Sequence, residues 1–177
     1  TAGFSPEGRD YAARTSDFLF TVFSSIEQAK TIIADIGERA GKVDRELGVI
    51  STCHVVCRET QTEAEDYYHY YGVEMADNDA LDRQLAIQKG RTAFEHLGRK
   101  PLSWKDEHRM RFAAGGGSFP LVGTARHIAE EMIKLHEAGS GGAALCFVNY
   151  KNELPGFIRS VLPLLEEAGL RAPGGQP

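Results

Sequence analysis

The chain has 177 residues, 42% of them apolar and 25% charged, with a formal net charge of −5, the profile of one globular domain rather than a disordered chain. An acidic balance with no basic run or arginine-rich face argues against nucleic acid as a partner, and no stretch approaches the roughly 20 apolar residues of a membrane helix. No charged-then-apolar leader opens the sequence, so a cytoplasmic setting is expected.

The first segment, Ala2-Gly3-Phe4-Ser5-Pro6-Glu7-Gly8-Arg9, reads as a turn into a helix. Ser5 suits the N-cap and Pro6 the first helical position. The amides that follow lack helical partners and carry the positive end of the dipole, so the turn suits an anion such as phosphate as well as an ordinary cap. A helix is expected from about Pro6 to Arg14, then a continuous apolar run from Asp17 to Phe23 that reads as a buried strand. Ser24-Ser25-Ile26-Glu27 forms a capping box, and Ile26, Ala29, Ile33, Ile36 and Ala40 recur at helical spacing up to Gly41.

Leu47 to Cys57, rich in Val, Ile, Thr and Cys, is a second strand, and Thr60 to Glu63 caps a helix running through Tyr67, Tyr68, Tyr70 and Tyr71. Those tyrosines suit helix packing better than base stacking in an acidic domain. From about Asn78 to Leu121 the regularity breaks into a polar helix (Leu81 to Leu97), a basic loop and Gly115-Gly116-Gly117. The glycines have neither a preceding strand nor a following lysine, so they suit a lid hinge or a linker, not a nucleotide loop. Gly123-Thr124 opens a helix through Ile128, Met132 and Leu135. A strand from Ala143 to Tyr150 and a helix from about Glu153 to Ala168 follow, and residues 172–177 suit a disordered tail.

Cys53, Cys57 and Cys146 are an odd number of cysteines in apolar, strand-like runs. They fit reduced core residues, and no ligand spacing calls for a metal. Strands alternating with helices, apolar on both faces, indicate an α/β fold with a helix-covered parallel sheet. Three visible strands are too few for a closed barrel or a doubly wound sheet, so the chain reads as the C-terminal portion of a larger protein, or as one that pairs with a missing piece, with sticky sheet edges.

The segment Ala2 to Arg14 followed by Ser16-Asp17-Phe18-Leu19-Phe20 resembles the mid-chain region of luciferase-like flavin monooxygenases, the superfamily of alkanesulfonate monooxygenase and bacterial luciferase. The similarity continues through His54-Val55-Val56-Cys57-Arg58-Glu59-Thr60 with Glu63-Ala64, through Pro120 to Thr124 and Gly139 to Tyr150, and into Val161 to Leu165 with Gly169-Leu170-Arg171. The resemblance implies the C-terminal part of a (β/α)8 TIM barrel, from the end of strand five to helix eight. Residues 1–171 would form this partial domain, with a helical and loop insertion at about 78–121 between strands seven and eight.

It implies a two-component monooxygenase in which reduced FMN, supplied by a separate NAD(P)H-dependent flavin reductase, and O2 oxygenate a small organic substrate. The missing N-terminal half would be needed for activity, and a homo-oligomer is expected. Residue by residue, it places Ser5 with the backbone of Phe4, and Gly8, at the FMN phosphate. His54, on strand seven, falls at an active-site histidine of the alkanesulfonate branch, where an imidazole can exchange a proton near neutral pH; a purely structural, hydrogen-bonded histidine is the alternative. Tyr150 matches a tyrosine at the end of strand eight, with an interfacial packing role as its alternative.

The sulfonate branch carries an arginine two residues before that histidine and another in the glycine-rich loop, where this chain has Thr52 and Ala114. Without that fork of donors, a neutral or weakly polar substrate is expected, unless Arg109 or Arg111 compensates. Two other readings stand beside this one: a non-catalytic, flavin-binding or dimerising half-barrel, and a deazaflavin-dependent hydride-transfer oxidoreductase of the same superfamily.

Overall fold

The computed structural model describes residues 1–89 and 106–173. Along the chain these form α1 (Pro6–Thr15), β1 (Phe18–Thr21), α2 (Ile26–Gly41), β2 (Gly48–Cys57), α3 (Gln61–His69), a π-helical turn (Tyr70–Glu74), α4 (Asn78–Lys89), α5 (Asp106–Gly115), β3 (Phe119–Gly123), α6 (Ala125–Glu137), β4 (Gly142–Cys146), α7 (Tyr150–Ser160) and α8 (Leu162–Glu167). None of the described helices is long and apolar enough to cross a membrane.

Local chemistry sets most helix starts. The side chains of Ser5, Ser25, Thr60, Thr124 and Asn149 each accept the backbone N–H three residues on, satisfying donors that a helix start leaves open. The box at Thr60 and Glu63 is complete in both directions. The cap of α2 is Ser25 rather than Ser24: Gln28 Oε1 accepts both the backbone N–H and the hydroxyl of Ser24, each at 2.6 Å, so the reciprocal contact moves one residue along.

All strand pairs are parallel. β2 is the centre: Ile50 and Ser51 pair with both β1 and β4, while Cys53 and His54 pair with both β3 and β4. A strand has two edges, so β4 occupies one and β1 and β3 follow one another along the other. Ala2 bridges Phe20 in parallel, and Gly3 N–H donates to the Phe20 carbonyl at 3.2 Å, so the first residues lie on the far side of β1. Ala2, Phe20, Ile50 and Gly142 thereby form one row across the sheet.

Side chains alternate between two faces. Leu19, Val49, Cys53, Val55, Phe119 and Leu121 belong to the main core with Ile32, Ile36, Ile128, Leu135 and Phe157 from the helices. Cys53 is fully buried, burial pushing its thiol up to about 12, and all three cysteines are free thiols. On the opposite face, Val56 and Val122 join a second cluster with Ala64, Tyr67, Tyr68, Tyr71, Met110 and Ala114.

Four expectations need correction. Phe119–Gly123 is a strand of the sheet, so regular structure resumes inside the segment assigned to an insertion. The expected basic loop contains α5, and the polar helix is α4, described from Asn78 to Lys89; its expected end at Leu97 falls in residues 90–105, which lie outside the described residues. β4 stops at Cys146, and Tyr150 is the first residue of α7 instead of the end of a strand. Asn149 takes the N-cap there, and its backbone N–H donates to Glu153 Oε2 at 2.9 Å. The expected final helix is two, broken at Val161 ahead of Pro163, whose ring cannot continue a helical ladder. Of the tail expected to be disordered, residues 174–177 lie outside the described residues.

Candidate active site

In a parallel sheet the carboxyl ends of all strands meet along one edge, where α/β proteins build their sites. His54 lies toward that end of β2, level with Cys146, the last residue of β4. Its imidazole is 4% exposed. Nε2 stands 2.5 Å from the Tyr71 hydroxyl, and the rings of Tyr71 and Tyr68 lie 5.8 and 6.2 Å away. Above the ring lies Gly115, the last residue of α5: a Cβ there would stand 2.7 Å from His54 Cγ, so only glycine lets α5 close over the imidazole. Burial lowers the pKa of His54, partly opposed by the carboxylate of Glu153. It also raises the Tyr71 phenol, with the neighbouring Tyr68, Glu153 and Tyr67 adding to the effect and Arg58 opposing it. Neutral imidazole beside neutral phenol is the resulting state at neutral pH.

Arg58, just past β2, ties this cluster to the next strand-end. Nη1 donates to the Cys57 carbonyl and Nη2 to Glu153 Oε1, both at 2.8 Å. Its guanidinium carbon sits 4.2 Å over the Tyr67 ring, and Tyr67 stacks obliquely on Tyr71 with centroids 5.0 Å apart. Glu153 is 12% exposed at its side chain and also takes the Asn149 amide. One carboxylate thus joins β2, the turn after β4 and α7.

Ser5 sits at the same edge, beyond the residues that bridge to β1. Its hydroxyl accepts the Gly8 amide at 3.1 Å, which leaves the hydroxyl proton for another acceptor. Two strand spacings of about 4.8 Å separate the row position of Ala2 from that of Ile50, so the Ser5 turn and the His54 cluster stand at neighbouring points of one edge. Tyr150 is 51% exposed. Its hydroxyl donates to the Leu145 carbonyl at 3.0 Å and its ring meets Phe147 edge-on, so it closes the turn after β4 and its phenol is not directed at His54.

The structure therefore unites Phe4, Ser5 and Gly8 in one turn and gives His54 a partner, while the Tyr150 hydroxyl is bonded to the Leu145 carbonyl. Arg109 bridges α5 to α4, with Nη1 donating to Asp82 and Nη2 to Asn78 Oδ1, each at 2.8 Å. Arg111 is buried on α5, and Ala114 lies against Gly72. Sequence reading missed Tyr71, Arg58, Glu153 and Gly115 as site residues. The signal for Tyr71 was in the tyrosine run, whose Tyr67 and Tyr71 are four apart and so share a helix side.

Residues 1–141 match the sequence profile of the luciferase-like monooxygenases. The chain belongs to that family. It is 29% identical over 172 residues to an FMNH(2)-dependent dimethylsulfone monooxygenase of Pseudomonas fluorescens (strain Pf0-1), covering 96% of this chain and 46% of the relative. It is 26% identical over 194 residues to a dimethyl-sulfide monooxygenase of Hyphomicrobium sulfonivorans, covering 95% and 40%. The crystal structure of DmoA from Hyphomicrobium sulfonivorans superposes with a TM-score of 0.76 at 23% identity, covering 99% of this chain and 42% of that one. The chain thus spans less than half the length of the curated relatives it matches, and its fold is that of part of these proteins.

Proposed function

We propose that this chain is the C-terminal part, from the end of strand five to helix eight, of a (β/α)8 barrel enzyme that oxygenates a small organic substrate. It would use reduced FMN delivered by a separate reductase. The observation that carries the reading is the meeting, at one sheet edge, of a serine-capped helix start and a buried histidine–tyrosine pair. The donor set of the turn fits a phosphate: Ser5 keeps a hydroxyl proton to donate, the helix start supplies partial positive charge, and Gly8 has no side chain beside the Ser5 oxygen.

Phe4, through its backbone, Ser5 and Gly8 would hold the FMN phosphate. Bound there as the reduced flavin, FMN supplies the electrons that activate O2. His54 is held neutral by burial and serves as the group that gives or takes a proton at the reaction centre once Gly115 moves off the imidazole. Tyr150 orders the turn after β4 through Leu145, and its phenol reaches substrate only by leaving that carbonyl. The absence of arginine at Thr52 and Ala114 favours an uncharged substrate, and the relatives named for dimethyl sulfone and dimethyl sulfide support that size and polarity.

The test uses the complete gene product with reduced FMN. Substrate-dependent oxygen consumption is expected, and Ser5→Ala should weaken FMN binding by about one to two orders of magnitude, the worth of a hydrogen bond to a charged group. His54→Gln should lower kcat by about a hundredfold or more, the scale of a lost proton-transfer group. Oxygen uptake that is absent with reduced FMN, alongside hydride transfer from a reduced deazaflavin, would replace this reading with the second chemistry of the superfamily.

A further inference from the structure

His54 is enclosed by groups from three elements, and they do different things to its two nitrogens. Tyr71 addresses Nε2 from the π-helical turn at 2.5 Å. Gly115, at the end of α5, covers the other side, where a Cβ would stand 3.0 Å from Nδ1. The turn that delivers Tyr71 is irregular: its ladder widens to the bond from Met75 N–H to the Tyr70 carbonyl at 2.9 Å, a geometry that is rare and concentrated at functional sites. It is pinned there by small residues. A Cβ on Gly72 would lie 3.0 Å from Met110 Cγ and 3.3 Å from the Ala114 Cβ, so α5 packs directly on the widened turn.

We propose that Tyr71 is the positioning residue for His54: its hydroxyl donates to Nε2 and holds the imidazole in the Nδ1–H tautomer beneath Gly115. The phenol oxygen faces Nε2, and the rings of Tyr67 and Tyr68 pack against the Tyr71 ring at tilted and edge-on angles. Both groups are neutral at neutral pH, and because a phenol O–H is a stronger donor than its oxygen is an acceptor, while a bare imidazole nitrogen is a strong acceptor, the phenol donates. Which nitrogen of a histidine carries the proton is fixed by the bond made at the other, so the pair determines which nitrogen is left to act. In water the neutral imidazole favours the Nε2–H form, which makes the assignment readable. The functional weight of this positioning rests on the reading of His54 as a proton-transfer group; the tautomer itself does not.

Long-range proton–nitrogen NMR of the complete protein, labelled with 15N-histidine and kept free of flavin, reads the tautomer without turnover. At neutral pH His54 should show a protonated Nδ1 and a bare Nε2. Tyr71→Phe should shift the tautomer ratio toward Nε2–H by about an order of magnitude, the worth of one hydrogen bond, while Tyr67→Phe, which keeps Tyr71, should leave it unchanged. A wild-type spectrum showing Nε2–H overturns the proposal, as does a Tyr71→Phe spectrum identical to wild type, or an equal shift in Tyr67→Phe, which would trace the effect to packing. In the complete enzyme, His54→Gln with undiminished kcat would remove the catalytic reading and leave the tautomer result standing, so the two fail separately.

Discussion

At the scale of single residues, burial has made His54 a titration sensor for the fold. Its ordinary pKa of 6.5 is lowered by desolvation, so the native chain keeps it neutral at a pH where an unfolded chain protonates it. The stability this provides is complete above about pH 6.5 and is lost as pH falls from there toward the lowered native value, because the unfolded state takes up the proton first. Thermal unfolding followed from about pH 7.5 to about pH 5 should show Tm falling in the wild type and a flatter profile in His54→Gln; parallel profiles would mean that His54 protonates equally in both states. Asp35 does not blur this window. Burial pushes its carboxyl up, but hydrogen bonds from Arg9 and Arg39 outweigh that and hold it below 3.8, so its own contribution fades only in stronger acid. The Ser5 helix cap and the strand that carries His54 were legible in the sequence because caps and strand composition are local patterns. The partners were not: Tyr71 lies 17 residues from His54 and Glu153 lies 95 from Arg58, distances over which only the closed fold brings groups together.

At the scale of elements, legibility followed periodicity. β2, α2 and α6 carry clear apolar patterns and were read with nearly their final bounds, whereas β3 is five residues long and includes Pro120, which has no N–H for a ladder and argues against a strand. α5 lacks an apolar stripe because it packs through Met110, Ala114 and Gly115 onto the π-helical turn and His54. That geometry separates two glycines that look alike in sequence. Gly115→Ala would drive a Cβ to 2.7 and 2.8 Å from His54 Cγ and Cβ, atoms close to the β2 backbone that have little room to move. It should cost about 1–3 kcal/mol, as overpacking does. Gly156, inside α7, has nothing within 4 Å of its added Cβ, so Gly156→Ala should stabilise by about 0.5–1 kcal/mol through helix propensity. Denaturant unfolding of the two variants should move the midpoint in opposite directions, and a shared direction would contradict the packing of α5 on β2.

At the scale of the molecule, the two sheet faces are treated unequally. One is sealed by helices over Leu19, Val49, Cys53 and Leu121; among the described residues the other is covered toward the carboxyl end, over His54 and Val56, by α3, the π-helical turn and α5. Toward the amino end that second face is apolar yet partly exposed along Phe20, Ile50 and Ala144, with Phe18 beyond them 55% exposed. In a closed barrel this face points inward, where side chains from all strands fill the interior in layers. The chain supplies under half the length of its relatives, so under the barrel reading the remaining strands supply the missing layers. An apolar sheet face in contact with water binds hydrophobic dyes. The 177-residue chain should therefore enhance the fluorescence of an anilinonaphthalene sulfonate probe while keeping a cooperative unfolding transition, and the complete protein should not. Phe20→Ser in the 177-residue chain should reduce the enhancement, because it removes the ring at the centre of the face, whereas equal dye binding by the complete protein would mean that this face is not turned into a barrel interior.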